Sequence, residues 1–414
     1  MNRFAFCALA LFFACSPVKG TPLIDAPPSV SSIQIAPGSA SLRVGLDVPM
    51  PLTVEASLPD GTMRDVTPYV TWSSSADSVA TVPLGNVTAV AAGSATITAT
   101  LDGLMATAAI SVRDPILAVA SQESGSNLAG IDFFDAFATG DTAPIRSIRG
   151  SNTQLEDAFH LFADTKDNEL YVADLGAGLL VFPLDGNGDI APLRHIPAGS
   201  AATLEGIIDV AVDNDEIYLA GETGSSAGEI AVFSRLSDGS AAAPTRMIAG
   251  SDSSITGLSQ VITALAIHDG MIYAASSTLS GETPGTITVY PETSSGEVAP
   301  TVIFAGASSE ILQPIGMDFR GNELIDSDAE GDAIDVYSLA GGSNITPVRT
   351  INGIESQVAL PTDLVLIGQT LVCAQDQGNM VTTYPIEALQ DQAPSSTLGG
   401  SATLITLPIG LTAF

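Results

Sequence analysis

Lysine is nearly missing from this chain: Lys19 and Lys166 are the only two among 414 residues. Thirteen basic residues face 46 acidic ones, a formal net charge of −33. A surface so short of cations repels phosphate backbones and anionic headgroups, which argues against nucleic acid as a partner. It leaves a surface protein, a neutral glycan or a cationic ligand as partners, or serves solubility alone. Aromatic residues are scarce at 5%, while glycine is frequent at 39 residues. That balance suits short strands and many turns better than long helices. Three cysteines give no disulfide framework. Cys373, in the apolar run Thr370 to Ala374, reads as a buried structural thiol. Phosphate loops, dinucleotide fingerprints and paired CxxC motifs are all absent.

The N-terminus carries the one marked apolar run, Phe4 to Ala14, preceded by Arg3. It is too short to span a bilayer and has the proportions of a secretory signal. The run ends at Ala14-Cys15-Ser16-Pro17. This resembles the lipobox of bacterial lipoproteins, with Phe12 in place of the usual Leu. The resemblance implies lipidation at Cys15, a membrane contact made only through that anchor, and sorting to the outer membrane; ordinary signal cleavage and secretion are the alternative. Residues 1–15 then form the signal peptide and 16–30 a tether.

Between residues 31 and 113, short runs such as Ser32-Ile33-Gln34-Ile35, Leu52 to Ala56, Val70 to Ser73, Ala95 to Thr100 and Ala108 to Val112 alternate apolar with polar side chains. Turn signals such as Pro59-Asp60-Gly61 and Leu101-Asp102-Gly103 separate them. About seven strands over such a length is the rhythm of a β-sandwich. The strings LPDGTMRDVTPYVTWSSSADSVATV (58 to 82) and VTAVAAGSATITAT (87 to 100) resemble the bacterial Ig-like domain, group 2. The resemblance implies a spacer or adhesive module with Trp72 filling its core.

From 115 to 414 the chain repeats itself. An Ala/Thr-Pro step before an apolar strand recurs at Pro144, Pro192, Pro244, Pro300, Pro347 and Pro394, at intervals of about 47 to 56 residues. Several steps continue alike, as Arg146-Ser147-Ile148, Arg194-His195-Ile196 and Arg349-Thr350-Ile351. Four strands per unit of this length make propeller blades, with a solenoid as the alternative. The segment opens with what corresponds to a second strand, Ile116 to Ala120, and finishes with what corresponds to a first, Pro408 to Phe414. Pairing the two closes six blades into a ring and hides both edges. The expected fold class is therefore all-β, an Ig-like β-sandwich plus a six-bladed β-propeller closed by the C-terminal strand. The repeats resemble NHL-type and lactonase-type propellers.

That resemblance implies a ligand face built from the loops between strands two and three and the loops between blades. These loops hold Glu123, Glu156, Asp157, Asp174, Glu205, Glu222, Glu282, Glu310, Asp328, Glu330, Asp332, Glu355 and Asp376, without a single Lys, Arg or His. Aligned innermost strands place His160, Asp209, Ala264, Gly316, Asp363 and Gly410 at one level of the channel. The resemblance implies a divalent ion such as Ca²⁺ there, held by His160, Asp209 and Asp363; hydrogen-bonded polar residues inside the channel are the other reading. Asp326 to Asp332 looks like the front half of an EF-hand loop, but Tyr337 stands where the bidentate Glu belongs, so a solvated acidic turn is expected. His160, His195 and His268 fall at unrelated points of the repeat, and no Ser/His/Asp grouping assembles. The expectation is a surface-displayed binding protein with no catalytic residues assigned; a metal-dependent hydrolase of lactonase type is the alternative.

Overall fold

A computed structural model describes residues 30–122, 129–199, 204–223, 228–249, 261–277, 284–306, 308–342 and 345–414. The signal segment and Cys15 lie outside these residues, as do Glu123, Glu282 and the side chain of Glu222.

The N-terminal domain is a sandwich. One sheet orders Ser32–Ala36, Thr53–Ser57 and Met63–Asp65; the other orders Ser39–Arg43, Leu104–Arg113, Gly93–Leu101 and Thr71–Ser74. Along Leu104–Arg113 burial alternates residue by residue, the signature of a sheet with one face on the core and one in water. Ile97 and Ile110 are sealed inside, and Trp72 joins both apolar clusters while remaining half-buried. Gly85, at φ +86°, leaves the space that the Trp72 indole takes, with its ring 3.1 Å from where a Cβ would stand.

The propeller has six four-stranded antiparallel sheets. Blade II (Ala158–Asp164, Glu169–Asp174, Gly178–Pro183, Arg194–Pro197) sets the pattern, counted from the axis outward. Blade III begins with Leu204–Asp213, blade IV with Val261–His268, blade V with Pro314–Arg320 and blade VI with Pro361–Ile367. Blade I takes its innermost strand from the far end of the chain: Pro408–Ala413 pairs antiparallel with Ile116–Ser121, Leu117 opposite Ala413 and Ala120 opposite Gly410. The innermost strands pack side by side around the full circle, that of blade I lying between those of VI and II. Closure through the C-terminal strand is as the sequence predicts.

Unlike the sandwich strands, Glu169–Asp174 is buried at every position, because each blade is covered by a neighbour on both faces. The third strands of all six blades carry a fully buried aromatic at one equivalent position: Phe134, Phe182, Phe233, Tyr290, Tyr337 and Tyr384. The recurring arginines explain themselves on the outer edge. Arg194, Arg246 and Arg349 reach back across their blades to Glu169, Glu216 and Glu323, at 2.7, 2.5 and 3.1 Å. The turn between strands three and four also clasps the preceding blade. Gly188 bridges to Ile148, and Gly140 of blade I bridges to Leu398 of blade VI, so the ring is closed at its rim as well as at its centre. Near the Ig-like domain's Gly45, the blade VI turn at Gly368 comes close enough to leave no room for a side chain, and Leu46 packs on the cluster around Ile367.

Candidate functional site

Each innermost strand carries a bulge just before the aligned level. Below it, Asp209, Ala264, Gly316, Asp363 and Gly410 stand opposite Ala220, Ala275, Ser327, Ala374 and Ala120, small residues at one position of the second strands. The sequence alignment therefore holds its register, and the bulges aim these side chains inward.

What meets there is a closed knot. His160 Nδ1 lies 3.1 Å from Asp209 Oδ2, both residues buried. Asp209 also accepts from its own neighbour's amide, Val210, at 2.6 Å and from Leu265 of blade IV at 2.5 Å. Asp363 repeats the pattern with Leu364 and with Leu411 of blade I, each at 2.7 Å. Carboxylates thus stitch blade III to IV and blade VI to I. Gly410 carries no side chain because the Phe159 carbonyl occupies that space, and Gly316 leaves the Asp363 carboxylate 2.5 Å from a would-be Cβ. His160, Asp209 and Asp363 are all buried at this level.

Burial pushes the Asp363 carboxyl up to about 7, against the pull of His160. Burial works against the His160 imidazolium, yet Asp209 and Asp363 outweigh it and raise its pKa to about 9. The imidazolium is paired with Asp209 and feels the charge of Asp363, both oxygens of each carboxylate accept backbone amides, and His160 Nε2 is buried with no hydrogen-bond partner. Among the described residues no group of three His, Cys, Asp or Glu has metal-holding geometry. The three aligned residues do come together: His160 pairs with Asp209, and Asp363, bonded to the amides of Leu364 and Leu411, acts on His160 through its charge.

A cavity of about 500 Å³ lies directly below the knot. Its walls are the second halves of the innermost strands: Phe162, Val212, Ile267, Phe319 and Val365, with Asp318 between them. It reaches Asp213, at the end of the blade III innermost strand, and Asp269 and Gly270, in the turn from strand one to strand two of blade IV. The cavity therefore opens on the face opposite the acidic loops. Asp318 holds the amides of Phe319 and of Leu366 in blade VI, each at 2.6 Å. Burial raises it to about 6. Sequence reading passed over Asp318; its signal was a place two residues beyond Gly316, on the same side of the strand.

At the loop face, Glu156, Glu205, Glu310, Glu330, Asp332 and Glu355 are exposed. Asp174 and Asp328 are not. Asp174 accepts the amides of Glu156, Asp157 and Ala177, and Asp328 those of Leu312, Gln313 and Gly331, so both fasten blade-connecting loops. The expected solvated turn at Asp326 to Asp332 needs correction. Asp326, Ser327 and Asp328 end a strand, Glu323–Asp328, and are fully buried; only the Glu330 and Asp332 part is exposed. Cys373 is buried as expected, and burial raises its thiol well above its usual value. His195 faces the Ala177 carbonyl at 2.8 Å, and His268 stacks on Phe319 with ring centres 4.3 Å apart, so neither joins a catalytic grouping.

Asp326 occupies a position held by Val119, Val172, Leu219, Ala274 and Cys373 in the other blades. Neither of its oxygens has a hydrogen-bond partner, and Asp335 lies directly across from it. Burial, then Asp328 and Asp335, raises Asp326 well above the usual range; burial raises Asp335 to about 7. Folding thus favours the protonated acids, and the stability they contribute in acid is lost as pH rises from about 4 through 7. Asp326→Val is expected to stabilise the protein at pH 8 by at least about 2 kcal/mol and far less at pH 5. Urea midpoints at the two pH values check this; an equal shift at both would show that the charge is not the cause.

The family profile for the bacterial Ig-like domain (group 2) matches residues 29–110. No curated protein matches the chain in sequence. Among solved structures, a nidogen/laminin complex is similar at 14% identity and a TM-score of 0.48, with 72% of this chain and 98% of that one covered. The periplasmic gluconolactonase of Pseudomonas aeruginosa is similar at 13%, with a TM-score of 0.47 and the same shares covered. The WD40 β-propeller domain of Doa1 follows at 11% and 0.40, with 62% and 72% covered. On the family match and the sheet order together, residues 29–110 are a bacterial Ig-like domain of group 2, and a six-bladed β-propeller follows it.

Proposed function

We propose that this is a binding protein of the bacterial cell surface, with the propeller as ligand platform, the Ig-like domain as spacer and Cys15 as lipid anchor. The observation that supports it is the loop face, where six exposed carboxylates stand and no cation occurs in the loops themselves. Such a surface draws cationic partners by long-range attraction. The Ig-like domain approaches blade VI at Gly368, in a strand-one-to-two turn, and so leaves that face free. The hydrolase alternative asks for a metal at the axis, where no group of three His, Cys, Asp or Glu among the described residues has metal-holding geometry.

Cys15→Ser protein tests both halves of the reading. It is expected in the soluble fraction, where it should bind an oligolysine peptide with an affinity that falls steeply between 50 and 500 mM salt, roughly tenfold or more. Retention in the membrane removes the anchor. Tight Zn²⁺ or Ca²⁺ binding coupled to lactone hydrolysis, without peptide binding, replaces the platform with the enzyme.

A further inference from the structure

We propose that the axial cavity is a second, independent binding site that takes a small organic cation with an apolar body, such as an arylalkyl ammonium. The cavity has the volume of a small-molecule site, about 500 Å³. Its charged lining is one-sided: Asp209, Asp213, Asp269, Asp318 and Asp363 against His160 and His268, with no Lys or Arg. His160 is paired with Asp209 and feels the charge of Asp363. Asp318 repeats the two-amide pattern of Asp209 and Asp363 but has no ion pair of its own: the charge of His268 acts on it only as a minor influence, and each oxygen keeps a further lone pair.

The walls supply the other half of the recognition. Phe162, Val212, Ile267, Phe319 and Val365 are only partly buried although they lie at the ring axis, so the funnel exposes apolar surface that no part of the described chain covers. Phe319 is backed by the His268 ring, stacked within 3° of parallel, which fixes its plane along the wall. An ammonium near Asp318 with an aryl group against Phe319 meets charge with charge and ring with ring. A metal ion would leave the apolar walls in water, and an anion would face five carboxylates. Protonated Asp318 cannot hold the ammonium, so binding weakens as pH falls through about 6.

Titration calorimetry of the native protein with benzylamine, benzyl alcohol and benzoate at pH 7.5 tests this. Benzylamine is expected to bind one to one, about tenfold or more tighter than the alcohol, with no binding of benzoate. At pH 6 its binding should release protons, read as a heat that varies with buffer ionisation enthalpy. Asp318→Asn should lose the preference for amine over alcohol. Should that variant fold poorly, Thr412→Lys, which sets an ammonium into the same funnel wall, should abolish benzylamine binding while leaving oligolysine binding at the loop face intact. Equal affinity for amine and alcohol, no binding by the native protein, or undiminished binding by Thr412→Lys overturns the proposal.

Discussion

Deleting residues 408–414 is expected to yield protein that is largely insoluble, or that melts without a cooperative propeller transition, while the Ig-like domain still folds. The deletion strips Ile116–Ser121 of its inner partner and leaves that strand's edge unpaired at the axis. It removes Leu411 and Phe414, each 4 to 5% exposed, from the clusters between blades VI and I and between I and II. Phe414 also meets Phe133 edge to face at 6.2 Å. Burial of two such side chains alone contributes about 3–6 kcal/mol, a large part of a domain's net stability. Asp363 loses the Leu411 amide and Thr362 loses the Pro408 carbonyl, so polar groups on blade VI are stranded too. The rim clasp, in which Gly140 meets Leu398 and Asp141 accepts the Ala402 amide at 2.6 Å, survives the deletion. If it sufficed, the truncated protein would stay soluble and melt within a few degrees of the native one, and the inner strand would not be what holds the ring. Solubility and calorimetric melting decide.

His160→Ala is expected to cost about 3–5 kcal/mol at pH 7.5, because it removes the cation that pairs with Asp209 and acts on Asp363, both buried. The loss should read as a fall of about 10 °C in Tm. The sign of the pH dependence separates this cause from a mere cavity. With its pKa raised to about 9, His160 contributes stability fully below its unfolded value of about 6.5, and this is lost as pH rises through 9. Asp363, raised to about 7, also costs more as it ionises with rising pH. The native protein should therefore lose stability from pH 6.5 to 9, and the penalty of His160→Ala, complete below about pH 6.5, should shrink as pH rises through 9. His160→Ala/Asp363→Asn should recover part of the loss at pH 7.5. A penalty that is the same at pH 6 and 9.5, and unrelieved by the second substitution, would point to lost packing.

Both results bear on what could be read before the fold was known. The ring was legible because an Ala/Thr-Pro step recurs once per blade, joined in three blades by an Arg that binds a strand-two Glu, and because the incomplete ends, Ile116 to Ala120 and Pro408 to Phe414, complement each other. Even the inward register of Asp209 and Asp363 was legible, since small residues recur opposite them. The commitments of those side chains were not. Whether an Asp faces a ligand or the amide of the next blade depends on packing between strands some fifty residues apart, as with Asp209 and Leu265. Asp326 misled for the same reason: in sequence its neighbourhood reads Asp-Ser-Asp-Ala-Glu-Gly-Asp, a turn by composition, yet the repeat places its first residues at core positions. The cavity was invisible because its walls are the ordinary lower halves of inner strands, and only their arrangement in a circle leaves a space.

The short passage between the two domains has a mechanical consequence. Asp114 and Pro115 alone separate the sandwich strand Leu104–Arg113 from Ile116–Ser121. Any pull on the Ig-like domain is delivered at once to the end of a strand held on one side by Pro408–Ala413 and on the other by Gly130–Asp135. Traction along that strand shears two hydrogen-bonded ladders together instead of peeling one bond at a time. Resistance to force is then set by the rate of that one concerted rupture. A protein held by its N-terminal side against flow would meet the drag at the blade in which the two ends of the ring are spliced.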